Sequence, residues 1–291
     1  MSKKHPIVAV TGSSGAGTTT VKRVFENIFR RENITAAVIE GDAFHRFERK
    51  EMKQLIADAD SAGKPMSHFG PDANEWEALE TQFRAYGKEG RCKLRLYLHS
   101  DEEAAPWKQE PGTFTPWQNT GADTDLLFYE GLHGCVKTDK VDLVKHVDLK
   151  IGVVPIINLE WIQKIHRDTK DRGYSKEAVS DTILRRMHDY IHFICPQFGE
   201  TDINFQRVPM VDTSNPFIAR DIPTAGESKV VIRFKNPRGI DFAYLLSMID
   251  QSYMSRANTI VVPGGRMDLA MQIILTPLIL RLMDIRRAQH Q

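Results

Sequence analysis

A chain of 291 residues, 41% of them hydrophobic, can bury a full core as one large domain or one domain with an appendage. Its 39 Lys and Arg against 38 Asp and Glu leave a net charge of +1, which excludes a bulk field for gripping nucleic acid or an anionic membrane. Cys92, Cys135 and Cys195 are far apart, odd in number and without metal-ligand spacing, so they read as reduced thiols in a cytoplasmic protein.

The opening residues run directly into a strand-like 6–11 with no secretory apolar region between. That strand leads into Gly12-Ser13-Ser14-Gly15-Ala16-Gly17-Thr18-Thr19, and an amphipathic helix is predicted over 19–31. Strand, glycine-rich loop and helix are the setting of a P-loop. Glycines let successive backbone N–H groups and the helix N-terminus close on phosphate oxygens, so residues 12–19 are the candidate ATP site. Thr19 stands where a Mg²⁺-ligating hydroxyl belongs. Thr18 replaces the usual lysine, so the β/γ-phosphates need a cation from another element. The spacing is not G-x-G-x-x-G, which counts against a nicotinamide dinucleotide enzyme.

A second strand is predicted over 36–40, followed by a Gly-Asp turn that carries Asp42. Residues 60–124 hold many Gly and Pro and three Trp, and read as a lid-like insertion with a helix over 75–86 rather than a second domain. Within it, Tyr97 and His99 alternate on a strand-like 94–99 and so share a face. The strand over 125–130 ends in Glu130 and a glycine, the place where P-loop enzymes hold Mg²⁺–nucleotide. Further strands are predicted over 149–154, 208–212, 229–235 and 258–263, and helices over 158–169, 176–192 and 268–286. Strands alternating with helices give an α/β fold with a mostly parallel sheet, extended at one edge by antiparallel tail strands. The apolar run 269–283 contains Gln272, Pro277 and Arg281 and is too short to span a bilayer.

Lys164, Arg167 and Arg172 form a basic run at a predicted helix end. Cations are favoured there by the helix dipole alone. Lys164, or failing it Arg167, can also supply the cation missing from the loop. His166-Arg167-Asp168 imitates a protein-kinase catalytic loop, but no Asn follows at the required offset and no D-F-G occurs.

Residues 12–19, Glu40-Gly41-Asp42-Ala43-Phe44-His45 through Arg49, Phe128-Tyr129-Glu130-Gly131-Leu132-His133, 158–168, Arg172-Gly173-Tyr174 and 211–216 together closely resemble the bacterial phosphoribulokinases, along essentially the whole chain. The wider kinship is with uridine kinase and other nucleoside-monophosphate-kinase-like proteins, which implies a mixed sheet flanked by helices. The resemblance implies ATP-dependent phosphorylation of D-ribulose 5-phosphate in the reductive pentose phosphate (Calvin) cycle. It makes Asp42 the base and Asp168 a second catalytic acid, which we read as helping Glu130 handle Mg²⁺. It carries substrate binding onto His45, Arg49, Tyr97, His99 and Arg172, and Arg167 of the basic run is a further substrate-binding candidate; His45 and Arg49, four apart, share a face if that stretch is helical. It also implies a homo-oligomer activated by NADH and inhibited by AMP, with Arg31, Arg233 and Arg256 matching the effector arginines. Plant-type relatives switch through thiols, one of them in the P-loop; Ala16 stands there, so thiol control is not expected. Competing readings are a kinase of this fold with another sugar phosphate or nucleoside as acceptor, and a nucleotide-binding regulator without turnover. The second is disfavoured by the presence of Asp42, Glu130 and Asp168. A GTPase is disfavoured because no N-K-x-D occurs.

Overall fold

The computed structural model describes residues 4–13, 18–121, 123–170 and 173–290, without the side chains of Thr18, Thr19 and His290. In chain order the strands are β1 (Ile7–Gly12), β2 (Ala36–Glu40), β3 (Lys93–Leu94), β4 (Gln118–Asn119), β5 (Leu126–Gly131), β6 (Leu149–Val154), β7 (Ile203–Pro209), β8 (Ser228–Phe234), β9 (Tyr253–Arg256) and β10 (Thr259–Pro263). The helices are α1 (Thr18–Arg31), α2 (Arg49–Ser61), α3 (Trp76–Glu89), α4 (Asp101–Ala104), α5 (Ile157–Lys170), α6 (Lys176–Asp189), α7 (Gln197–Glu200), α8 (Phe242–Met248) and α9 (Met267–His290).

One sheet runs β2-β5-β1-β6-β7-β8-β10-β9. Its first five strands are parallel and the last three join antiparallel. All six residues of β1 are buried, as an interior strand covered on both faces must be. Alternation then divides it: Val8 and Val10 face a core shared with α1 and α9, while Ile7 and Ala9 face one shared with α3. Val21, Val24, Phe25 and Ile28 repeat at helical spacing, which is why α1 folds onto the first core. Burying a ring such as Phe25 is worth roughly 1.5–3 kcal/mol over leaving it in water. Trp76, Leu79, Phe83 and Tyr86 do the same for α3, which ends at Gly90 in the left-handed region, φ 68°. In α9, Met271, Ile274, Leu275 and Ile279 are buried in the first core, so that helix is core.

Four expectations shift. The strand expected over 208–212 is Ile203–Pro209; Met210 and Val211 are apolar but lie beyond the ladder, exposed. The helix expected to reach 192 stops at Asp189 and continues as a π-helical turn, Tyr190–Ile194. The strand-like 94–99 pairs only at Lys93–Leu94 and at a single bridge, Tyr97 with Phe114. His45 does not share a helical face with Arg49, because it lies extended before α2, whose first residue is Arg49.

Candidate active site

β1 lies between β5 and β6, so the chain leaves it towards opposite sides of the sheet. The crevice at the carboxyl ends of these strands is where an open α/β sheet takes its ligand. Ser14, Gly15, Ala16, Gly17, the side chains of Thr18 and Thr19, and Arg172 lie outside the described residues. Gly12 is placed at the close of β1, where a Cβ would come within 2.8 Å of the Val153 carbonyl oxygen. Ser13 follows, fully buried, within reach of the Glu160 carboxylate.

Two strand ends are drawn together beside it. A Cβ on Gly41 would lie 2.5 Å from the Tyr129 hydroxyl and one on Gly131 2.7 Å from Gly41 Cα. Only glycine fits both, and the contact brings Asp42 near Glu130. Burial, then the charges of Asp42 and Glu40, push Glu130 up to about 7. A crowded carboxylate of this kind is a fit for a hard cation, which oxygen donors and nucleotide phosphates would complete. Among the described residues no three His, Cys, Asp or Glu side chains are grouped to hold a metal by themselves. Lys22, from the second turn of α1, pairs with Glu40 at 2.7 Å.

Asp42 lies in a single 3₁₀ turn, Gly41–Phe44, with its carboxylate 40% exposed. Burial would raise it, but the His45 hydrogen bond and then the charges of His45 and His99 outweigh that and bring it to about 2. His45 Nε2 is 3.2 Å from Oδ1 and His99 Nε2 is 3.7 Å from Oδ2. The Tyr97 ring stands edge-on to both imidazoles. Arg49 lies over Tyr97, 5.8 Å from its centroid, and donates to the His99 carbonyl. The structure thus gathers Asp42, His45, Arg49, Tyr97 and His99 in one place.

On α5, Glu160, Lys164 and Asp168 follow at four-residue spacing and form one row. Lys164 pairs with Asp168 Oδ2, and Arg167 Nε lies 3.0 Å from Oδ1. Burial, then the charge of Arg186, lower Lys164. A cavity of about 320 Å³ opens beside this row, lined by Arg49, Lys53, His68, Lys164, Arg185 and Arg186 among others, with Asp168 as its carboxylate. Five cations against one acid make it a receptor for an anion. Arg186 is brought down to about 10 by burial, chiefly, and lies over Phe69.

Sequence reasoning missed Lys53, His68, Asn74, Arg95, Glu160 and Arg186. The row of Glu160, Lys164 and Asp168 was legible as a four-residue period, and Arg185-Arg186 as a tandem. Asn74 and Arg95 carried no such signal, because long loops bring them to the site. Arg95 donates to the carbonyls of Ala43 (2.7 Å) and His45 (3.0 Å) and to Glu75 (3.1 Å), between the rings of Phe114 and Trp117.

The three candidate effector arginines do not converge within one chain. Arg233 and Arg256 both pair with Thr259 across β8, β10 and β9. Arg31 bonds Thr276 on α9, and α9 packs on the face of β8 that carries Ile232 and Phe234, opposite Arg233. The thiols of Cys92 and Cys135 are pushed up to about 12 by burial, which makes them poor partners for disulfide exchange.

The model of the phosphoribulokinase/uridine kinase family matches residues 7–214. A phosphoribulokinase of Cupriavidus necator is 64% identical over all of both chains, and a probable phosphoribulokinase of Escherichia coli is 56% identical over 99% of this chain and all of that one. The solved phosphoribulokinase from Rhodobacter spheroides superposes with a TM-score of 0.91 at 60% identity, over 98% of this chain and all of that one. With β1 leading to the phosphate loop, Glu130 beside it and a cationic cavity alongside, the chain belongs to the phosphoribulokinase/uridine kinase family.

Proposed function

We propose that this protein is a phosphoribulokinase, which moves the γ-phosphoryl group of ATP to a hydroxyl of D-ribulose 5-phosphate and yields ribulose 1,5-bisphosphate, a step of the Calvin cycle. The observation that carries this is full-length likeness to relatives of that name, joined to an anion-receiving cavity that opens beside Lys164 and Asp168 and shares Arg49 with the Asp42 cluster.

Each group has a defined task. Residues 12–19 cradle the ATP phosphates. Thr19, Glu130 and Asp168 would hold Mg²⁺, which neutralises charge on the phosphates when bound. Asp42 accepts the proton of the sugar hydroxyl as phosphoryl transfer proceeds. Its depressed pKa suits a loose transition state, in which the hydroxyl keeps its proton late and the carboxylate mainly aligns it. Arg49, Arg167, Arg172 and the cavity's Lys53 and Arg186 hold the sugar's own phosphate, since guanidinium forks match phosphate oxygens. Tyr97 and His99 border the hydroxyls and His45 shapes the same end through Asp42. Lys164 supplies the positive charge that Thr18 cannot. The whole chain is read as one domain with the 60–124 insertion forming a wall of the site. NADH as activator, AMP as inhibitor, a homo-oligomeric state and a cytoplasmic location complete the proposal. Among the described residues no helix is long and apolar enough to cross a membrane.

The experiment is an acceptor panel with ATP and Mg²⁺: ribulose 5-phosphate, other pentose and hexose phosphates, and nucleosides. Ribulose 5-phosphate is expected to give the highest kcat/KM by at least ~10². Preference for another acceptor assigns the chain to a different kinase of this fold.

A further inference from the structure

Asn74 lies in the loop before α3 and is 2% exposed. Its amide orientation is fixed, because Nδ2 donates to the carbonyls of His68 (2.9 Å) and Gly70 (2.7 Å). A flipped amide would set an oxygen against both. The remaining Oδ1 faces His45 Nδ1 at 2.9 Å and can only accept. On the other side of the ring, Nε2 faces the Asp42 carboxylate, which also only accepts. The geometry is satisfied by a ring that donates from both nitrogens. Both nitrogens are then spent inside the protein. Asp42 Oδ1 is held, and Oδ2, the oxygen nearer His99, is left for an incoming hydroxyl.

The loop that carries Asn74 is itself held. His45 and Asn74 form an isolated antiparallel bridge, Arg46 N donates to Ala73 O, and Glu75 N donates to Phe44 O. Ser67 Oγ donates to Asp189 on α6, against which a Cβ on Gly70 would collide. The titratable groups facing the His45 ring are Asp42, His68 at 4.9 Å between centroids and Tyr97 at 6.0 Å, with His99 across the carboxylate and buried His133, pushed down to about 3, behind His68. His68 is held neutral, pushed to about 3 by burial and then by the charge of His45.

We infer that Asn74 is a positioning residue of the phosphoryl-transfer site: through Oδ1 it holds His45 as a double donor, and His45 in turn fixes the Asp42 carboxylate for the acceptor hydroxyl. This rests on the kinase function proposed above and adds a residue that touches neither ATP nor sugar. Removing the acceptor leaves the His45 ring free to turn, and Asp42 then loses its orientation.

The test compares Asn74→Leu, Asn74→Asp and each change in a His45→Gln background, with steady-state kinetics and thermal melting. Asn74→Leu is expected to lower kcat by 10- to 10²-fold and leave KM for ATP within about twofold. Asn74→Asp keeps an acceptor for His45 while losing both donations to the loop, so it retains more kcat than Asn74→Leu although it melts lower. In the His45→Gln background the Asn74→Leu change adds less than about threefold, because the two act as a unit. A merely structural role reverses the order, with Asn74→Asp the worse enzyme, and makes the effects additive; either result overturns the inference. Should Asn74→Leu fail to fold, Asn74→Ser replaces it, its hydroxyl being too short to reach Nδ1. Wild-type enzyme that phosphorylates no acceptor sinks the function and this role with it; active wild type whose Asn74 variants keep normal kcat sinks the inference alone.

Discussion

Charges at this site are placed for a bound nucleotide, and the protein without one bears the cost. Glu130 is the clearest case. Its folded pKa, about 7, lies above its unfolded value, so the folded state holds the extra proton and stability falls as pH rises from about 4.5 to 7. At pH 8 the metal-free Glu130→Gln variant should melt higher than wild type, by on the order of 5 °C, and the gap should close towards pH 4.5. Equal melting at pH 8 would show that the carboxylate is relieved by other means. Asp42 has the opposite sign. Its folded value, about 2, is below the unfolded one, so its stabilising share is present above about pH 4 and is lost as pH falls through 2. Lys164, one turn from Asp168, is the third case. Lys164→Met keeps the stem and removes the charge, and kcat/KM should fall by about 10²–10³ with the fold intact. Arginine should rescue poorly, because a planar fork does not replace a compact ammonium. A loss under tenfold would move the role to Arg167.

The elements were legible to unequal degrees, for reasons visible in their residues. β1, β2, β5 and β6 are short apolar runs between turn residues, and each forms where its pattern predicts. α2 was not predicted although Met52, Leu55, Ile56 and Ala59 recur at helical spacing; the stripe is short, and in the fold only Met52 is fully covered. The site followed the same rule. Residues in a motif with fixed spacing, such as Asp42, Glu130 and the 164–168 turn, could be named from sequence; Arg95 and Asn74 could not, since tertiary packing brings them to Asp42. Arg95 is an element-scale clamp: it fastens the carbonyls of Ala43 and His45, within and just after the Asp42 turn, to the 60–124 segment. Arg95→Lys keeps a charge but cannot reach three acceptors or stack as a plane. Stability should fall by about 2–3 kcal/mol and kcat with it. An unchanged melting point together with an unchanged kcat would remove the clamp from the account. The antiparallel extension β8-β10-β9 carries Arg233 and Arg256 on neighbouring strands. Replacing both with Ala should abolish the response to NADH, a coupling of about 1–3 kcal/mol, while unactivated turnover persists. Full activation in the double variant would place the effector site elsewhere.

At the scale of the whole molecule, a parallel half-sheet presents the end of β1 and two acidic strand ends on one edge. The 60–124 segment and α2 stand on one side of that edge, α5 and α6 on the other, and the cationic cavity opens between α2 and α6. On the function proposed above, the nucleotide would approach from the end of β1 and the sugar phosphate from the cavity, the opposed entry that an in-line transfer requires. This arrangement makes one step decisive: passage of the γ-phosphoryl group to a hydroxyl held by Asp42. The most direct measurement is a single-turnover reaction with γ-labelled ATP and ribulose 5-phosphate, using wild type and Asp42→Asn side by side and identifying the product. Wild type should place the label in ribulose 1,5-bisphosphate, and Asp42→Asn should transfer it at least ~10²-fold more slowly while binding ATP as well as wild type does. Label appearing only as inorganic phosphate, or transfer by Asp42→Asn at the wild-type rate, would contradict the account.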